Sequence, residues 1–104
     1  MRYKKGDIGI QFASSLKNCA DDSNFTKTLE NQWIVFYKPN GVRVEKEASV
    51  EVIDSDDVIV YLNDTEPSIL DVTGAWEYAP KIKYVVSGKT KTIESAQSVL
   101  FWVV

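Results

Sequence analysis

The chain has 104 residues, a formal net charge of −3 and no histidine. Its length is that of one domain with a single core, and 44% hydrophobic with 26% charged residues is typical of a globular protein. With only two arginines, Arg2 and Arg43, it offers no basic patch for a phosphate backbone, so we expect no nucleic-acid partner. The sequence therefore predicts one domain over residues 1–104.

Targeting features predict a protein that is neither membrane-bound nor secreted. No apolar run approaches the roughly 20 residues that span a bilayer, and the N-terminal segment lacks the apolar stretch of a signal peptide. Cys19 is the single cysteine, which fits folding in a reducing cytoplasm without a disulfide. Acidic neighbours at Asp21 and Asp22 disfavour its thiolate, so we expect no chemical role for it.

The first predicted strand lies over Ile8, Ile10 and Phe12, which alternate with Gly9 and Gln11 as in a strand with one buried face. Residues 13–31 follow without a sustained period and are rich in Ser, Asn, Asp and Thr. We expect a long loop there, with a helical turn that starts near Ser23 or Asn24.

The segment "QWIVFYKPNGVRVEKE" predicts a β-hairpin. Pro39 presets the first central turn position, and the Asn40-Gly41 pair tolerates a positive φ. Residues 32–37 are apolar on both faces, so this strand must be covered on both sides by its own domain or by a partner. "ASVEVID" and "DVIVYLN", joined by an acidic turn, predict a second hairpin.

The stretch "ILDVTGAWEYAP" leads into a strand in which Trp76, Tyr78, Ile82 and Tyr84 share one face. Pro80 cannot donate to a ladder, so it predicts a bulge or an edge position. "SGKTK" predicts a further turn, and "TIESAQSVLFWVV" a single last strand. Its end, "VLFWVV", is apolar on both faces, which would invite pairing if it were a solvated edge.

About seven short strands with turns between them favour an all-β fold, an immunoglobulin-like antiparallel β-sandwich. A small Greek-key barrel is the alternative. In a sandwich, "DVTGAWEY" would form the corner at the start of a strand. Trp76 would anchor the corner through its polar atom, Tyr78 would be core, Asp71 would cap the turn, and Gly74 would supply an unusual backbone angle.

Catalysis is not expected. The absence of histidine removes the commonest general base, the Ser-His and Cys-His nucleophile pairs and most zinc sites. The fifteen Asp and Glu residues lie mostly at turns or on polar strand faces, where solvation explains them. "ADDSN" and "DSDD" lack the spacing of a calcium loop. We predict no enzyme, no cofactor and no metal site.

Aromatic side chains could form a platform for sugars, but they fall in predicted strands, where burial in a core or interface is expected. They are Trp33, Phe36, Tyr37, Trp76, Tyr78, Tyr84, Phe101 and Trp102. Among them we expect four to face outwards and form contacts with a partner: Trp33, Phe36, Phe101 and Trp102.

The order of "YKKGDIGIQF", "IVFYKPNGVRVEKEA", "VIVYL", "DVTGAWEY" and "SVLFWVV" resembles the small immunoglobulin-like proteins of tailed bacteriophages. It is most similar to those related to the N-terminal domain of baseplate upper proteins. The motifs that carry the resemblance are Gly6-Asp7, residues 38–41, and Asp71, Gly74 and Trp76. The segment 13–31 is longer than the compact loop of that family.

The resemblance implies a non-enzymatic virion or tail-baseplate module that docks proteins to one another, in the virion or in the host cytoplasm during assembly. Its expected partners are other phage structural proteins and further copies of itself. The alternative function is a host-surface or carbohydrate-binding module.

Overall fold

The computed structural model describes residues 1–17, 24–65 and 67–104. Within them it contains nine strands and one short 3-10 turn, Phe25–Thr28. The strands are β1 (Arg2–Tyr3), β2 (Gln11–Lys17), β3 (Leu29–Tyr37), β4 (Arg43–Glu47), β5 (Ser49–Asp54), β6 (Asp57–Asn63), β7 (Gly74–Val86), β8 (Lys89–Glu94) and β9 (Val99–Val103). Cys19, Asp21 and Asp22, to which the sequence assigns no chemistry, lie outside the described residues.

The strands form two sheets. One has the order β1-β9-β7-β3-β4 with β8 also paired to β7, and the other has the order β2-β6-β5. Every pairing is antiparallel except that of β1 with β9. A three-stranded sheet that faces a larger sheet built on β9, β7 and β3 is the arrangement of an immunoglobulin-like sandwich. The predicted all-β sandwich is therefore confirmed, with nine strands instead of seven.

The core lies between the two sheets and is rich in aromatic rings. Phe12 of β2 packs edge-on against Phe36 of β3, with ring centroids 5.1 Å apart, and against Tyr78 of β7, 5.4 Å apart. Antibody domains hold their sheets together at this place with a disulfide packed on a tryptophan. Here three packed rings, rather than a disulfide, stabilise the contact between the sheets.

The first hairpin turns at residues 38–41. The N–H of Gly41 donates to the carbonyl of Lys38 at 3.0 Å, and the N–H of Lys38 donates to the carbonyl of Val42 at 2.9 Å. Gly41 has a φ of 84°, whereas Asn40 keeps a negative φ and accepts a hydrogen bond from the N–H of Val42 at 3.2 Å. The predicted hairpin is confirmed, although Gly41 alone uses the left-handed conformation.

Residues 13–31 are not the predicted loop throughout. Strand β2 runs from Gln11 to Lys17, and β3 already begins at Leu29. The inward face of β2 carries Phe12 and Leu16 but also the polar Ser14, which hides the period-two pattern from the sequence. The expected helical turn is present over Phe25–Thr28, after Asn24 in the left-handed conformation.

The predicted last strand is two strands, β8 and β9, separated by residues 95–98. β9 pairs with the first half of β7 and β8 with its second half. Pro80 lies between those halves, where its carbonyl accepts a hydrogen bond from the N–H of Ser95 at 3.0 Å. It is thus neither at an edge nor at a bulge. A central strand tolerates Pro80 because its missing N–H faces the place where the neighbouring strand changes.

Candidate functional site

Trp76 anchors the connection that leads into β7. Its ring is fully buried, and its Nε1–H donates to the carbonyl of Val72 at 2.8 Å, four residues earlier in the chain. Immunoglobulin-like sandwiches place a tyrosine here, whose hydroxyl bonds the backbone a few residues upstream. An indole can do the same because it combines a large apolar ring with one N–H donor.

Tyr78, two residues further along β7, reaches across the core to the other sheet. Its hydroxyl donates to the carbonyl of Ala13 on β2 at 3.1 Å. Burial raises the pKa of the Tyr78 phenol. Tyr78 is thus a neutral core residue with one satisfied polar atom.

Asp71 joins the corner to the first hairpin. The sequence predicts that it caps its own turn, but both of its carboxylate oxygens accept hydrogen bonds from Nζ of Lys38, each at 2.9 Å. This contact lowers the pKa of the Asp71 carboxyl. The same ammonium lies 5.6 Å from the ring centroid of Trp76, within range of a cation–π interaction.

Gly74 lets the hairpin approach the corner closely. Its φ is 130°, and a Cβ built on it would lie 2.9 Å from both Cβ and Cγ of Pro39. The backbone therefore needs glycine here for two separate reasons, its conformation and the proline ring against it. The two sequence motifs "KPNG" and "DVTGAW" thus form one spatial unit, which the sequence alone does not indicate.

A small cavity of about 160 Å³ lies between the hairpin and the corner. Buried rings of Phe36 and Trp76 line it, together with the lysines Lys38 and Lys46. Cavities that hold small-molecule ligands usually measure about 300–1,000 Å³. This space is below that range.

Asp64 ties three segments together at the same end of the sandwich. Its side chain is almost fully buried, and its carboxylate accepts hydrogen bonds from the N–H of Ile69 at 3.3 Å and the hydroxyl of Ser68 at 3.4 Å. Its backbone bonds Gly9 at 2.7 Å and Ile10 at 2.8 Å. The sequence pattern does not indicate this role of Asp64, because Gly9 and Ile10 lie far from it in the chain.

Burial raises the pKa of the Asp64 carboxyl above its ordinary value of 3.8. The N–H of Ile69, the hydroxyl of Ser68 and the more distant charge of Lys46 oppose the shift without cancelling it. The ionised form of Asp64 is therefore less stable in the folded protein than in water, whereas the ionised form of Asp71 is more stable.

The four residues expected to form a partner interface do not share one surface. Phe36 and Phe101 are buried core residues, which corrects their assignment as contacts. Trp33 is half-buried beneath Nζ of Lys81, which lies 5.2 Å from the centroid of the indole. Trp102, by contrast, is 48% exposed. Side chains of neighbouring residues in a strand point to opposite faces of the sheet. Phe101 therefore points into the core, and Trp102 points outwards.

The outward face of β9 carries a row of uncovered apolar side chains. Leu100 is 53% exposed, and Val104, just after the strand, is also 53% exposed. With Trp102 between them they form a continuous row, which we call the apolar strip: Leu100, Trp102 and Val104. β7 pairs along one side of β9, and β1 pairs with Trp102 and Val103 on the other side. At Trp102 the outward face, rather than the hydrogen-bonding edge, is therefore open.

Charged side chains cover apolar residues in the middle of the same outward face. Val35 of β3 points outwards between Glu45 and Ala79, yet it is fully buried. Nζ of Lys81 on β7 contacts Oε1 of Glu45 on β4 at 2.6 Å, so this pair bridges over β3 and covers Val35. The strand that is apolar on both faces is therefore covered by its own domain.

A second bridge covers Ala79 in the same way. The hydroxyl of Tyr37 on β3 donates to Oε2 of Glu94 on β8 at 2.8 Å and so crosses β7. Arg43 joins the two bridges, with contacts of 2.7 Å to Glu45 and 2.8 Å to Glu94. We call these side chains the polar canopy: Tyr37, Arg43, Glu45, Lys81 and Glu94.

The canopy contacts favour the ionised forms of Glu45 and Arg43. Hydrogen bonds from Lys81 and then from Arg43 lower the pKa of the Glu45 carboxyl, and hydrogen bonds to Tyr37, Glu45 and Glu94 raise the pKa of the Arg43 guanidinium. Arg43 also lies 5.9 Å from the ring centroid of Tyr37. Networks of this kind stabilise more than isolated surface pairs, because one ordered side chain serves several partners.

Five of the eight aromatic residues considered for a sugar platform are buried: Phe36, Trp76, Tyr78, Tyr84 and Phe101. Within residues 1–17, 24–65 and 67–104, no group of three or more Cys, Asp and Glu side chains is placed to hold a metal ion. No helix in the same ranges is long and apolar enough to cross a membrane.

Comparison with known proteins identifies a fold and no family. No protein-family model matches the chain, and no curated protein matches it in sequence. Among solved structures it is similar to a DUF4785 family protein from Legionella pneumophila, with a TM-score of 0.50 and 10% sequence identity. The match covers 98% of this chain but 26% of that protein, so the chain spans about a quarter of its length. At this identity the likeness shows the fold alone.

Removal of the indole tests the corner. We expect Trp76→Ala to lower the free energy of unfolding by about 3–5 kcal/mol, because a large buried ring leaves a cavity. Trp76→Phe keeps most of the packing but leaves the Val72 carbonyl without its donor, at a cost of about 1–3 kcal/mol. Urea unfolding measures both, with the exposed Trp102→Ala as the matched control. Equal losses for Trp76→Ala and Trp102→Ala would contradict the anchor role.

A double-mutant cycle tests the close approach of hairpin and corner. Gly74→Ala should cost more than Gly6→Ala, which also has a positive φ but has open space around it. Backbone strain of this kind costs on the order of 1–3 kcal/mol, and the clash with Pro39 adds to it. In the Pro39→Ala background, Gly74→Ala should cost less than it does in the wild type. Strictly additive losses in unfolding experiments would rule out the contact.

Two carboxylates should give opposite pH dependences of stability. The contribution of Asp64 is full below its unfolded pKa and is lost as the pH rises towards its raised folded pKa. The contribution of Asp71 is present above its unfolded pKa and is lost as the pH falls through its lowered folded pKa. In urea unfolding from about pH 3 to 7, wild type should therefore lose stability relative to Asp64→Asn as the pH rises, and gain stability relative to Asp71→Asn. Differences of the same sign for both variants would contradict the two environments.

Proposed function

We propose that the chain is a non-enzymatic assembly module of a tailed-phage particle, and that it docks to a protein partner through the apolar strip. The observation that carries this proposal is the exposure of Leu100, Trp102 and Val104 in one row. Water contact with such a row is unfavourable by about 25 cal/mol for each Å² of apolar surface, so burial against a partner is favourable.

The contrast within one sheet face supports docking. The polar canopy buries the outward-facing Val35 and Ala79 almost completely. Charged side chains of the same domain thus cover these apolar groups. The hydrogen bond and ion pairs of the canopy join β3, β4, β7 and β8. The strip is therefore the part of this face that is available for contact, and a tryptophan at its centre is typical of the residues that dominate binding energy.

The phage setting of the proposal comes from the sequence motifs. The "KPNG" hairpin and the "DVTGAW" corner, on which the resemblance to baseplate modules depends, meet through the contacts of Lys38 with Asp71 and of Pro39 with Gly74. They hold the end of the sandwich at which β7 begins, next to Val104 at the end of the strip. Their role in the proposed module is to fix the scaffold, and the strip makes the contacts.

A carbohydrate-binding module is the alternative. Sugar sites use exposed flat rings, but Lys81 lies over Trp33 and Arg43 lies over Tyr37. Trp102 alone among the tryptophans presents a large exposed surface. One exposed indole in a row of aliphatic side chains favours a protein contact over a sugar platform.

Particle incorporation tests the proposal. Mass spectrometry of purified particles of the phage that encodes the chain should detect the wild-type chain at a fixed copy number. Trp102→Ala should reduce its amount at least about tenfold, as expected for a central hot-spot residue. The variant should keep its fold, because changes at exposed positions usually alter stability by no more than about 0.5 kcal/mol.

Trp33→Ala is the matched control, since Trp33 lies on the same sheet face but beneath Lys81. It should leave incorporation unchanged. Absence of the wild-type chain from the particles would overturn the proposal. Glycan-array binding that is lost in Trp102→Ala would favour the carbohydrate-binding alternative.

A further inference from the structure

We infer that the partner at the apolar strip is a second copy of this chain, bound face to face across a two-fold axis that passes β9 between Leu100 and Trp102. This inference rests on the proposed function, because it names the occupant of the same surface. It is carried by two charged residues that flank the strip, Arg2 and Glu77.

Strand register fixes where these two charges lie. Arg2 on β1 is paired with Trp102, and Glu77 on β7 is paired with Leu100. Both side chains are exposed and point outwards, since Tyr3, next to Arg2, packs inwards on Phe101. Each charge thus lies one strand away from β9, on opposite sides of the strip.

The positions of Arg2 and Glu77 are symmetric about the middle of the strip. Neighbouring strands are about 4.7–4.9 Å apart, so the two charges lie at equal distances from β9. One is level with Trp102 and the other with Leu100, and the midpoint between them falls on β9 halfway between those residues. A two-fold axis in the interface plane exchanges the two positions when it passes through this point perpendicular to the line that joins them, which is oblique to β9.

Exchange of these positions makes the face complementary to itself. In such a dimer Arg2 of each copy faces Glu77 of the other, and the apolar strips of the two copies cross at the axis and contact each other there. The result is an apolar centre with a charged rim, as in typical protein interfaces. Two like charges at these positions would instead repel each other across the axis.

Arg2 and Glu77 are also available for this contact. Ion pairs join Lys38 with Asp71 and link the canopy residues Arg43, Glu45, Lys81 and Glu94. Neither Arg2 nor Glu77 forms an ion pair within the described part of the chain. An intermolecular pair would therefore not have to break an existing one.

Charge reversal tests the inference. Sedimentation-equilibrium experiments on the untagged chain should show a monomer–dimer equilibrium for the wild type. Arg2→Glu and Glu77→Arg should each weaken dimerisation at least about tenfold, because each places like charges together twice in a symmetric dimer. The double variant Arg2→Glu/Glu77→Arg should restore the dissociation constant to within about threefold of the wild-type value. Glu51→Arg, an exposed reversal on the other sheet, should have no effect.

The outcomes separate this inference from the proposed function. A wild-type chain that remains monomeric overturns the dimer, as does a double variant no better than the single ones. If Trp102→Ala still prevents incorporation into particles in that case, the strip binds another protein and the proposed function stands. If the dimer forms and responds to the charges while particles contain the chain regardless of Trp102, the dimer stands and the proposed function fails.

Discussion

The hydrogen bond from Trp76 to the Val72 carbonyl, together with the burial of its ring, is the constraint on which the rest of the structure depends. It fixes the residue at which β7 begins, and β7 is the central strand: β3 pairs along one side and β9 and then β8 along the other. A shift of one residue at this start would turn every side chain of β7 to the opposite face. The contacts of Lys38 with Asp71 and of Pro39 with Gly74 hold the neighbouring hairpin against the same point.

Once this register is set, alternation along β7 divides the molecule into an inner and an outer layer. Inward residues such as Trp76 and Tyr78 build the core, and outward residues meet either the polar canopy or the apolar strip. The canopy consists of charges whose partners lie two strands away, so each pair crosses a strand and shields the residue beneath it. The strip has no such pair above it, because Arg2 of β1 and Glu77 of β7 flank β9 without an ion pair between them.

Part of this fold is predictable from short stretches of sequence. The "KPNG" turn, the alternation after Ala75 and the corner in "DVTGAWEY" all depend on residues close together in sequence, and the structure has these features. Other parts depend on distant contacts. In "VLFWVV" every position is apolar, so the pattern cannot distinguish Phe101, which is buried, from Trp102, which is exposed. The polar Ser14 faces inwards and hides β2. The role of Asp64 arises from three segments that meet only in the fold.

The sheet edges explain why association should use a face. β4, "RVEKE", and β8, "KTKTIE", carry alternating charges that discourage pairing with another strand, and β1 is too short to offer much of an edge. β5 exposes Val52 and Ile53, but its pairing with β6 is irregular between Val52 and Asp54, which disturbs the ladder that another strand would have to extend. The outward face of β9 has no comparable charges or irregularity, because it carries the exposed apolar side chains of Leu100, Trp102 and Val104. The same sequence therefore disfavours pairing at these four edges and leaves a surface whose charges favour a closed, two-fold contact.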